Sequence, residues 1–236
     1  SFQLGRLKTE DLPVFILPDE NNSQNNPNSN EHRGLEAEIA GVFGSDLLRN
    51  YDVDLDFNSR KLRLFSPDHC PGKVVFWHPN DVAVIPMKID DNGHITFTMK
   101  LDGTEVLALL DTGASDTVMN GSLARKLFGL EGDPAAKPDI INDQKVAGVI
   151  THKFKGLEIE GLSILNPAIT IIPDVATSKM GVDEQWYILT HGKQYQLILG
   201  MQELAKLHIY IAYHENKLYI SPAADEVLPP ALTASQ

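Results

Sequence analysis

Short, predominantly apolar runs, in one of which (95–101) apolar and polar residues alternate with a period of two, lie between residues 82 and 120, a pattern typical of β-strands. Three such runs, at 82–89, 95–101 and 106–110, are separated by Asp-Asn-Gly and Asp-Gly. Asn-Gly and Asp-Gly favour the tight turns whose twist suits a two-residue hairpin. The pattern therefore predicts three consecutive strands, the third running directly into Asp111, and a short helix then follows at 121–127.

The chain also repeats its own pattern. Residues 44–64 lie over residues 200–220 without a gap, at an offset of 156 residues (44 to 200). Each copy reads as an apolar-apolar-Gly turn, a short helix (45–50 or 201–206), an alternating strand, a turn and a closing strand. A repeat this long exceeds the unit of a solenoid or propeller, so it indicates duplication of a whole β lobe. The identical pairs are Gly44/Gly200, Leu48/Leu204, Lys61/Lys217 and Leu62/Leu218.

The repeat predicts how the chain is divided. Residues 1–66 are interpreted as the C-terminal half of a first lobe, 67–81 as a linker, 82–223 as a second, complete lobe and 224–236 as a tail. A strand at 13–17 belongs to the first lobe, because residues 15–19 match residues 170–174 at an offset of 155 (15 to 170). The Asn-rich residues 21–30 are expected to form a polar surface loop, to which no function is assigned.

Charge and composition exclude several classes of function. The net charge is −12 and the chain has no run of Lys and Arg, so a nucleic-acid partner is not expected. No stretch approaches the roughly 20 apolar residues that span a bilayer, so no membrane span is expected either. Cys70 is the single cysteine and lies in a Pro-rich stretch, where a structural reading is favoured over a nucleophile. The histidines show no metal-binding spacing, and neither a metal nor a cofactor is predicted.

The sequence Asp111-Thr112-Gly113-Ala114-Ser115 carries the chemistry. Asp-Thr-Gly alone is a weak signal, but here it follows an apolar strand and precedes an apolar-apolar-Gly turn some ninety residues later. With these motifs, residues 82–222 resemble the bacterial retropepsin-like aspartic peptidases, and the two-lobe layout resembles pepsin. The resemblance implies an all-β fold of acid-protease barrel lobes with short helices, and a peptide or protein substrate.

The resemblance also implies roles for single residues. Asp111 would be one of two carboxylates that share a proton and activate a water molecule. Thr112 would join the two catalytic loops through its hydroxyl, Gly113 would allow the tight turn, and Ser115 would hydrogen-bond the outer carboxylate oxygen. The segment 145–152 occupies the place of the flap that closes over substrate, although it lacks a Gly-rich tip. Its candidate substrate-binding residues are Val146, Ala147, Gly148 and Val149, with Gly148 as the hinge.

The second aspartate is missing, since Asp-Ser-Gly or Asp-Thr-Gly occurs nowhere else in the chain. Three explanations remain: an upstream segment is absent, two chains pair their second lobes, or the first lobe contributes no acid. We favour the first, because residues 2–5 align with 157–160, in the middle of a lobe. The expected partners are therefore an N-terminal fragment of the same protein or a second copy of the chain.

Two readings other than a peptidase stay open. A non-catalytic protein could use a pepsin-like cleft to bind peptides, because fold alone does not determine function. An all-β ligand-binding sandwich would explain the strands, but not the repeated Gly turns or the setting of Asp111. The aspartic peptidase reading is favoured, with activity that declines on the alkaline side. The compartment stays open, with the periplasm or secretion favoured over the cytoplasm.

Overall fold

The computed structural model describes residues 2–4, 7–9, 43–77, 82–131, 139–141, 144–146, 148–173 and 195–223. The predicted strand at 13–17, the Asn-rich loop at 21–30 and the tail at 224–236 lie outside these residues. The chain forms two compact units, Ser1–Val42 and Phe43–Gln236. In the first unit an antiparallel hairpin is described, formed by β1 (Phe2–Leu4) and β2 (Leu7–Thr9).

The second unit is built mainly of strands with short helices, which confirms the predicted all-β class. Its strands are β3 (Asp52–Asp56), β4 (Lys61–Phe65), β5 (Ala83–Pro86), β6 (Lys88–Ile89), β7 (Ile95–Leu101), β8 (Thr104–Leu110), β9 (Val118–Asn120), β10 (Asp139–Ile141), β11 (Gln144–Val146), β12 (Ile150–Lys153), β13 (Gly156–Ile159), β14 (Leu162–Leu165), β15 (Ala168–Ile172), β16 (Leu197–Leu199), β17 (Leu207–Ala212) and β18 (Lys217–Pro222). Among its described residues, the helices are α1 (Ser45–Leu48), α2 (Gly121–Phe128) and α3 (Met201–Leu204), with a 3-10 turn at Tyr213–Glu215.

A nine-stranded sheet holds the strand that leads to Asp111. Its order is β12-β15-β9-β16-β8-β7-β13-β14, and β6 pairs with β7. The β7–β8 hairpin turns at Asp102 and Gly103, whose φ angles of 46° and 77° are those of the predicted tight turn. Strand β16 lies between β8 and β9, parallel to the first and antiparallel to the second. The chain that leaves β8 at Asp111 must therefore pass the end of β16 to reach β9.

A five-stranded antiparallel sheet combines strands from both copies of the repeat. Its order is β4-β3-β17-β18-β5. Asp54 pairs with Tyr210 across the central strands, and these two residues are equivalent at the offset of 156. Equivalent residues that face each other imply a local twofold axis between β3 and β17. Each copy also has the same order of elements, a short helix followed by two strands, although the predicted division into lobes stays a prediction.

The two faces of this sheet differ in chemistry. Along β3, Val53 points into the main core, which also contains Ile209, Ile211, Leu218 and Ile220 from β17 and β18. The residues that alternate with them face the other way, as the period of a strand requires. On that second face, Asp52 and Asp54 are fully buried and Tyr210 and Tyr219 join a smaller cluster with Val74. Val74 belongs to the predicted linker, so part of the linker packs on the sheet.

Candidate active site

Asp111 follows the last residue of β8 without an intervening loop. Its backbone N–H donates to the carbonyl of Leu199 on β16, at 3.1 Å. Its carboxylate oxygen Oδ1 accepts a hydrogen bond from the Gly113 N–H, at 2.8 Å. The Asp111 side chain is partly exposed, and Thr112, Gly113 and Ser115 are exposed. The turn therefore presents one carboxylate and a threonine hydroxyl at the end of a strand that is itself well buried.

The apolar-apolar-Gly turn of copy two holds the other side of this loop. The N–H groups of Met201 and Gln202 donate to the carbonyls of Ala114 and Ser115, at 2.8 and 2.9 Å. These are N–H groups of the first turn of α3, which have no partner within the helix. The Gly200 N–H donates to the Thr117 hydroxyl at 3.2 Å, and Thr117 is fully buried. The loop is thus fixed at both ends by a segment about ninety residues further along the chain.

Gly200 is a glycine because of crowding rather than backbone conformation. Its φ angle of −97° is open to any residue. A Cβ atom at this position, however, would lie 2.1 Å from the backbone oxygen of Asp116. That distance is far inside van der Waals contact, so a side chain would push the 111–117 loop away from α3. The glycine signal found in the sequence therefore has a physical cause at this site.

A small apolar cluster packs against the Asp111 loop. It contains Leu109, Val118, Ile172, Tyr195 and Ile198, and Ala114 of the loop packs against it. Val149 from the predicted flap segment is buried in the same cluster. Of the predicted substrate-binding residues, Val149 thus lies in the cluster that packs against the Asp111 loop. Its side chain is buried among core residues.

The remaining predicted flap residues lie on or next to β11. Val146 ends β11, which pairs with β10 in antiparallel register, and Ala147 lies outside the described residues. Gly148 is buried and has a φ angle of 78°, a left-handed conformation that favours glycine. A backbone bend at Gly148 therefore separates β11 from β12, which is where a hinge was predicted. Its role in closing over substrate stays a prediction.

Ser115 does not form its predicted contact in this structure. Among the described residues, no hydrogen bond joins the Ser115 hydroxyl to the Asp111 carboxylate, and the Gly113 N–H is the group that binds Oδ1. No group of three or more His, Cys, Asp or Glu side chains in the described part of the chain is arranged to bind a metal ion. The described segments also contain no helix that is long and apolar enough to cross a membrane.

Sequence reasoning missed a polar cluster beside the strand that leads to Asp111. Asp90 accepts hydrogen bonds from the Tyr195 hydroxyl at 2.8 Å and from the backbone of His94 at 2.9 Å, and its Oδ2 lies 3.0 Å from the His94 ring. Burial raises the pKa of Asp90, but these hydrogen bonds outweigh burial and the pKa is lowered. The Asp90–His94 turn was visible in the sequence, whereas its contact with Tyr195, 105 residues away, was not.

The turn at Asp90 also contacts copy one of the repeat. The Ser45 hydroxyl at the start of α1 lies 3.5 Å from the carbonyl of Asn92, within reach of a weak hydrogen bond. Because Ile95 pairs with Leu110, the same turn lies directly beside the end of β8. The turn at residues 90–94 therefore contacts α1 of copy one, the end of β8 next to Asp111 and, through Tyr195, the apolar cluster that packs against the Asp111 loop.

Residues 97–202 match the family model described as aspartyl protease. The match contains the whole Asp111 loop and the Gly200 turn, and it confirms the resemblance found in the sequence. None of the curated proteins is significantly similar to the chain in sequence.

Among solved structures, the chain is similar to a retropepsin-like aspartic protease from Rickettsia conorii, at 18% identity and a TM-score of 0.40, over 60% of this chain and 92% of that one. It is also similar to a retroviral protease-like domain from Leishmania major, at 17% identity and a TM-score of 0.34, over 56% of this chain and 96% of that one. A third, Basic 7S globulin from soybean, has 13% identity and a TM-score of 0.34, over 75% of this chain and 51% of that one.

Proposed function

We propose that the protein is an aspartic endopeptidase in which Asp111 supplies one of two catalytic carboxylates, since residues 97–202 match the aspartyl protease family model. The observation that supports this most strongly is the way the Asp111 loop is held. Backbone hydrogen bonds to the Leu199 carbonyl and from the Met201 and Gln202 N–H groups fix both sides of a five-residue turn, yet Asp111 stays partly exposed. Rigid support around an accessible acid is what acid–base catalysis requires.

The proposed chemistry needs two carboxylates and one shared proton. Like charges this close do not both ionise, so one group is a carboxylate and the other a carboxylic acid. The carboxylate takes a proton from water, the water oxygen bonds to the peptide carbonyl carbon, and the acid gives its proton to the carbonyl oxygen. The C–N bond then breaks as the nitrogen takes the proton now held by the first carboxyl group, while a hydroxyl of the tetrahedral intermediate gives its proton to the second, so that the dyad again holds one proton. No metal and no covalent enzyme intermediate takes part.

The sequence contains a single Asp-Thr-Gly, so the second carboxylate would come from another segment of the same protein or from a second copy of the chain. The exposure of Thr112 and Gly113 supports this, because these residues would be covered when a matching loop packs against them. The equivalent-residue pairing across the five-stranded sheet supports it as well, since a twofold axis is how two half-sites come together. The substrate is a peptide or protein chain.

Cleavage of a peptide library by the full-length protein between pH 3 and 8 tests this proposal. Rising pH removes the shared proton when the second carboxylate ionises, so cleavage should decline on the alkaline side. A rate that rises up to pH 8 would contradict a carboxylate dyad. Saturable binding of peptides without cleavage at any pH would favour the non-catalytic alternative, a peptide-binding protein that keeps the cleft. That alternative has one observation in its favour, the single Asp-Thr-Gly in the chain.

A further inference from the structure

Part of the predicted linker lies across the polar face of the five-stranded sheet. We call residues 66–77 the strap. Its second half is anchored by apolar and aromatic contacts: Val74 is buried, the Trp77 indole N–H donates to the Ser221 hydroxyl at 2.8 Å, and the Trp77 ring stacks on His208 with centroids 4.2 Å apart. Its first half, residues 66–73, is largely exposed. The two halves are therefore held by different interactions.

His69 is the main anchor of the first half. Its Nε2 is hydrogen-bonded to the carboxylate of Asp52, which is fully buried on β3. Its Nδ1 lies 3.7 Å from the carboxylate of Glu215, in the turn that joins β17 to β18. The Gly72 N–H donates to the same Glu215 carboxylate at 3.0 Å. One histidine of the strap thus contacts an acid from each copy of the repeat, Asp52 from copy one and Glu215 from copy two.

Four acids on this face each lie beside an arginine, a lysine or a histidine. Arg63 is paired with Asp54 and lies 3.4 Å from Asp56, Lys217 lies 3.4 Å from Glu215, and His208 lies 2.6 Å from Asp54. Asp54, Asp56 and Glu215 therefore each have an arginine or lysine partner, whereas the titratable side chain that pairs with Asp52 among the described residues is His69. The acids are Asp52, Asp54, Asp56 and Glu215, the cations are Arg63 and Lys217, and the histidines are His69 and His208.

The other polar groups that face Asp52 and Glu215 are neutral donors. The Tyr210 hydroxyl donates to Asp52 at 3.3 Å, and the Tyr213 N–H donates to its other oxygen at 3.1 Å. The Tyr219 hydroxyl donates to Glu215 at 2.7 Å. These donors stabilise the ionised carboxylates whether or not His69 is charged. The hydrogen bonds to Glu215 outweigh its burial and lower its pKa, so the group at this site whose charge changes above pH 6.5 is His69, and its charge decides how strongly the strap is attracted to the acids.

We propose that residues 66–73 form a pH-operated clasp, in which protonated His69 fastens the strap to acids of both repeat copies and deprotonated His69 releases it. The second half of the strap stays docked, because Val74 and Trp77 are held by contacts that do not titrate through His69. This inference is independent of the peptidase proposal, since it uses no residue of the Asp111 loop.

The direction of the pH dependence follows from the contacts of His69. The hydrogen bond to Asp52 raises the pKa of His69 above its usual 6.5, and the Glu215 charge acts in the same sense, whereas burial opposes both. A histidine with a raised pKa adds its full stabilisation below 6.5, and that stabilisation is lost as the pH rises through the raised value. The clasp is therefore closed in acid and opens toward alkaline pH.

Cys70 makes the clasp measurable, because it is the single cysteine of the chain, is exposed and adjoins His69. A nitroxide attached to Cys70 of the full chain should give an immobilised spectrum at about pH 5, and a mobile component should grow with a midpoint above 6.5. His69→Gln should show the mobile component at every pH. His214→Gln removes an exposed histidine from the turn that carries Glu215 and should behave as the wild type.

A second variant guards against a His69→Gln protein that does not fold. Glu215→Gln keeps an acceptor for the Gly72 N–H but removes one negative charge, so the midpoint of the wild-type transition should move to lower pH. A wild-type spectrum that does not change between about pH 5 and 9 would overturn the proposal. So would a folded His69→Gln protein with the wild-type transition, or a Glu215→Gln midpoint that stays in place.

Discussion

The two copies of the repeat have the same local fold but different surroundings. In both, an extended glycine precedes a one-turn helix, with φ of −95° at Gly44 and −97° at Gly200. Both strands of copy two have a paired strand on each side, because β18 pairs with β5. In copy one, β4 is at the edge of the sheet, and its Lys61 and Leu62 are exposed. The Gly200 turn holds the Asp111 loop, while an added Cβ at Gly44 would meet only the side chain of Asp46. The shared sequence pattern therefore determines which secondary structure forms, whereas the segment that packs against each glycine turn determines what that turn supports.

The largest expected difference concerns the identical pair Leu62 and Leu218. Leu218 is fully buried in the main core, and Leu62 is 46% exposed. Leu218→Ala should lower the free energy of unfolding by about 2–5 kcal/mol through lost burial and a residual cavity. Leu62→Ala should cost about 0.5 kcal/mol or less. Urea unfolding of both variants measures the difference, and equal costs would contradict the difference in burial between the copies.

Substitution of Gly200 should likewise lower stability more than substitution of Gly44. Gly200→Ala places a methyl group against backbone that belongs to the Asp111 loop, so it should cost about 1–3 kcal/mol and disturb the loop. Gly44→Ala meets Asp46 Oδ1 at 2.7 Å, but an exposed side chain can rotate away. That variant should be within about 0.5 kcal/mol of the wild type in thermal unfolding. If Gly44→Ala were as unstable as Gly200→Ala, Gly44 would have to lie against backbone in the way that Gly200 lies against Asp116.

The Asp90 turn, which touches both copies, should respond to acid. The lowered pKa of Asp90 means that its contribution to stability is present above the ordinary carboxyl range and is lost as the pH falls through the lowered value. Tyr195→Phe removes one hydrogen bond, costs about 1 kcal/mol near neutral pH and moves the acid-induced loss to higher pH. Chemical unfolding between about pH 2 and 6 tests this. Tyr51→Phe is the control, because Tyr51 is half-buried but its hydroxyl makes no hydrogen bond to a described residue. An identical acid profile for Tyr195→Phe and wild type would contradict the assignment.

The smallest effect is expected where copy one touches this turn. The Ser45 hydroxyl bond to Asn92 is 3.5 Å long and exposed, so Ser45→Ala should change the free energy of unfolding by less than about 0.5 kcal/mol. A cost above about 1 kcal/mol in the same urea assay would show that the contact between α1 and the turn is stronger than its length indicates.

Local patterns were enough to predict many of the elements. The strand at 95–101 has its predicted bounds, because alternation and turn residues mark both ends. The helix predicted at 121–127 ends one residue later, at Phe128, where Gly129 takes a left-handed φ of 67°. Strand β8 starts at Thr104 rather than 106, since pairing with β7 recruits two polar residues that carry no apolar signal.

Long-range contacts were beyond the sequence. The Gly200 motif was visible, but its cause, the oxygen of Asp116, lies 84 residues away (116 to 200). The strap was interpreted as a linker from its prolines, and nothing local indicates that His69 lies between Asp52 and Glu215. Such contacts depend on the register of the five-stranded sheet, which pairs strands more than 150 residues apart. Sequence periodicity gives the face of each strand but not its neighbours.

The most direct test of the central proposal replaces the aspartate of the Asp111 loop. In the full-length protein, Asp111→Asn keeps an oxygen for the Gly113 N–H but cannot accept a proton from water, so kcat/KM for peptide cleavage should fall by about 10²–10⁴-fold while unfolding is little changed. Asp116→Asn, an exposed aspartate in the same loop, is the matched control and should keep wild-type cleavage. If Asp111→Asn and Asp116→Asn cleave peptides as fast as the wild type, Asp111 is not the catalytic carboxylate.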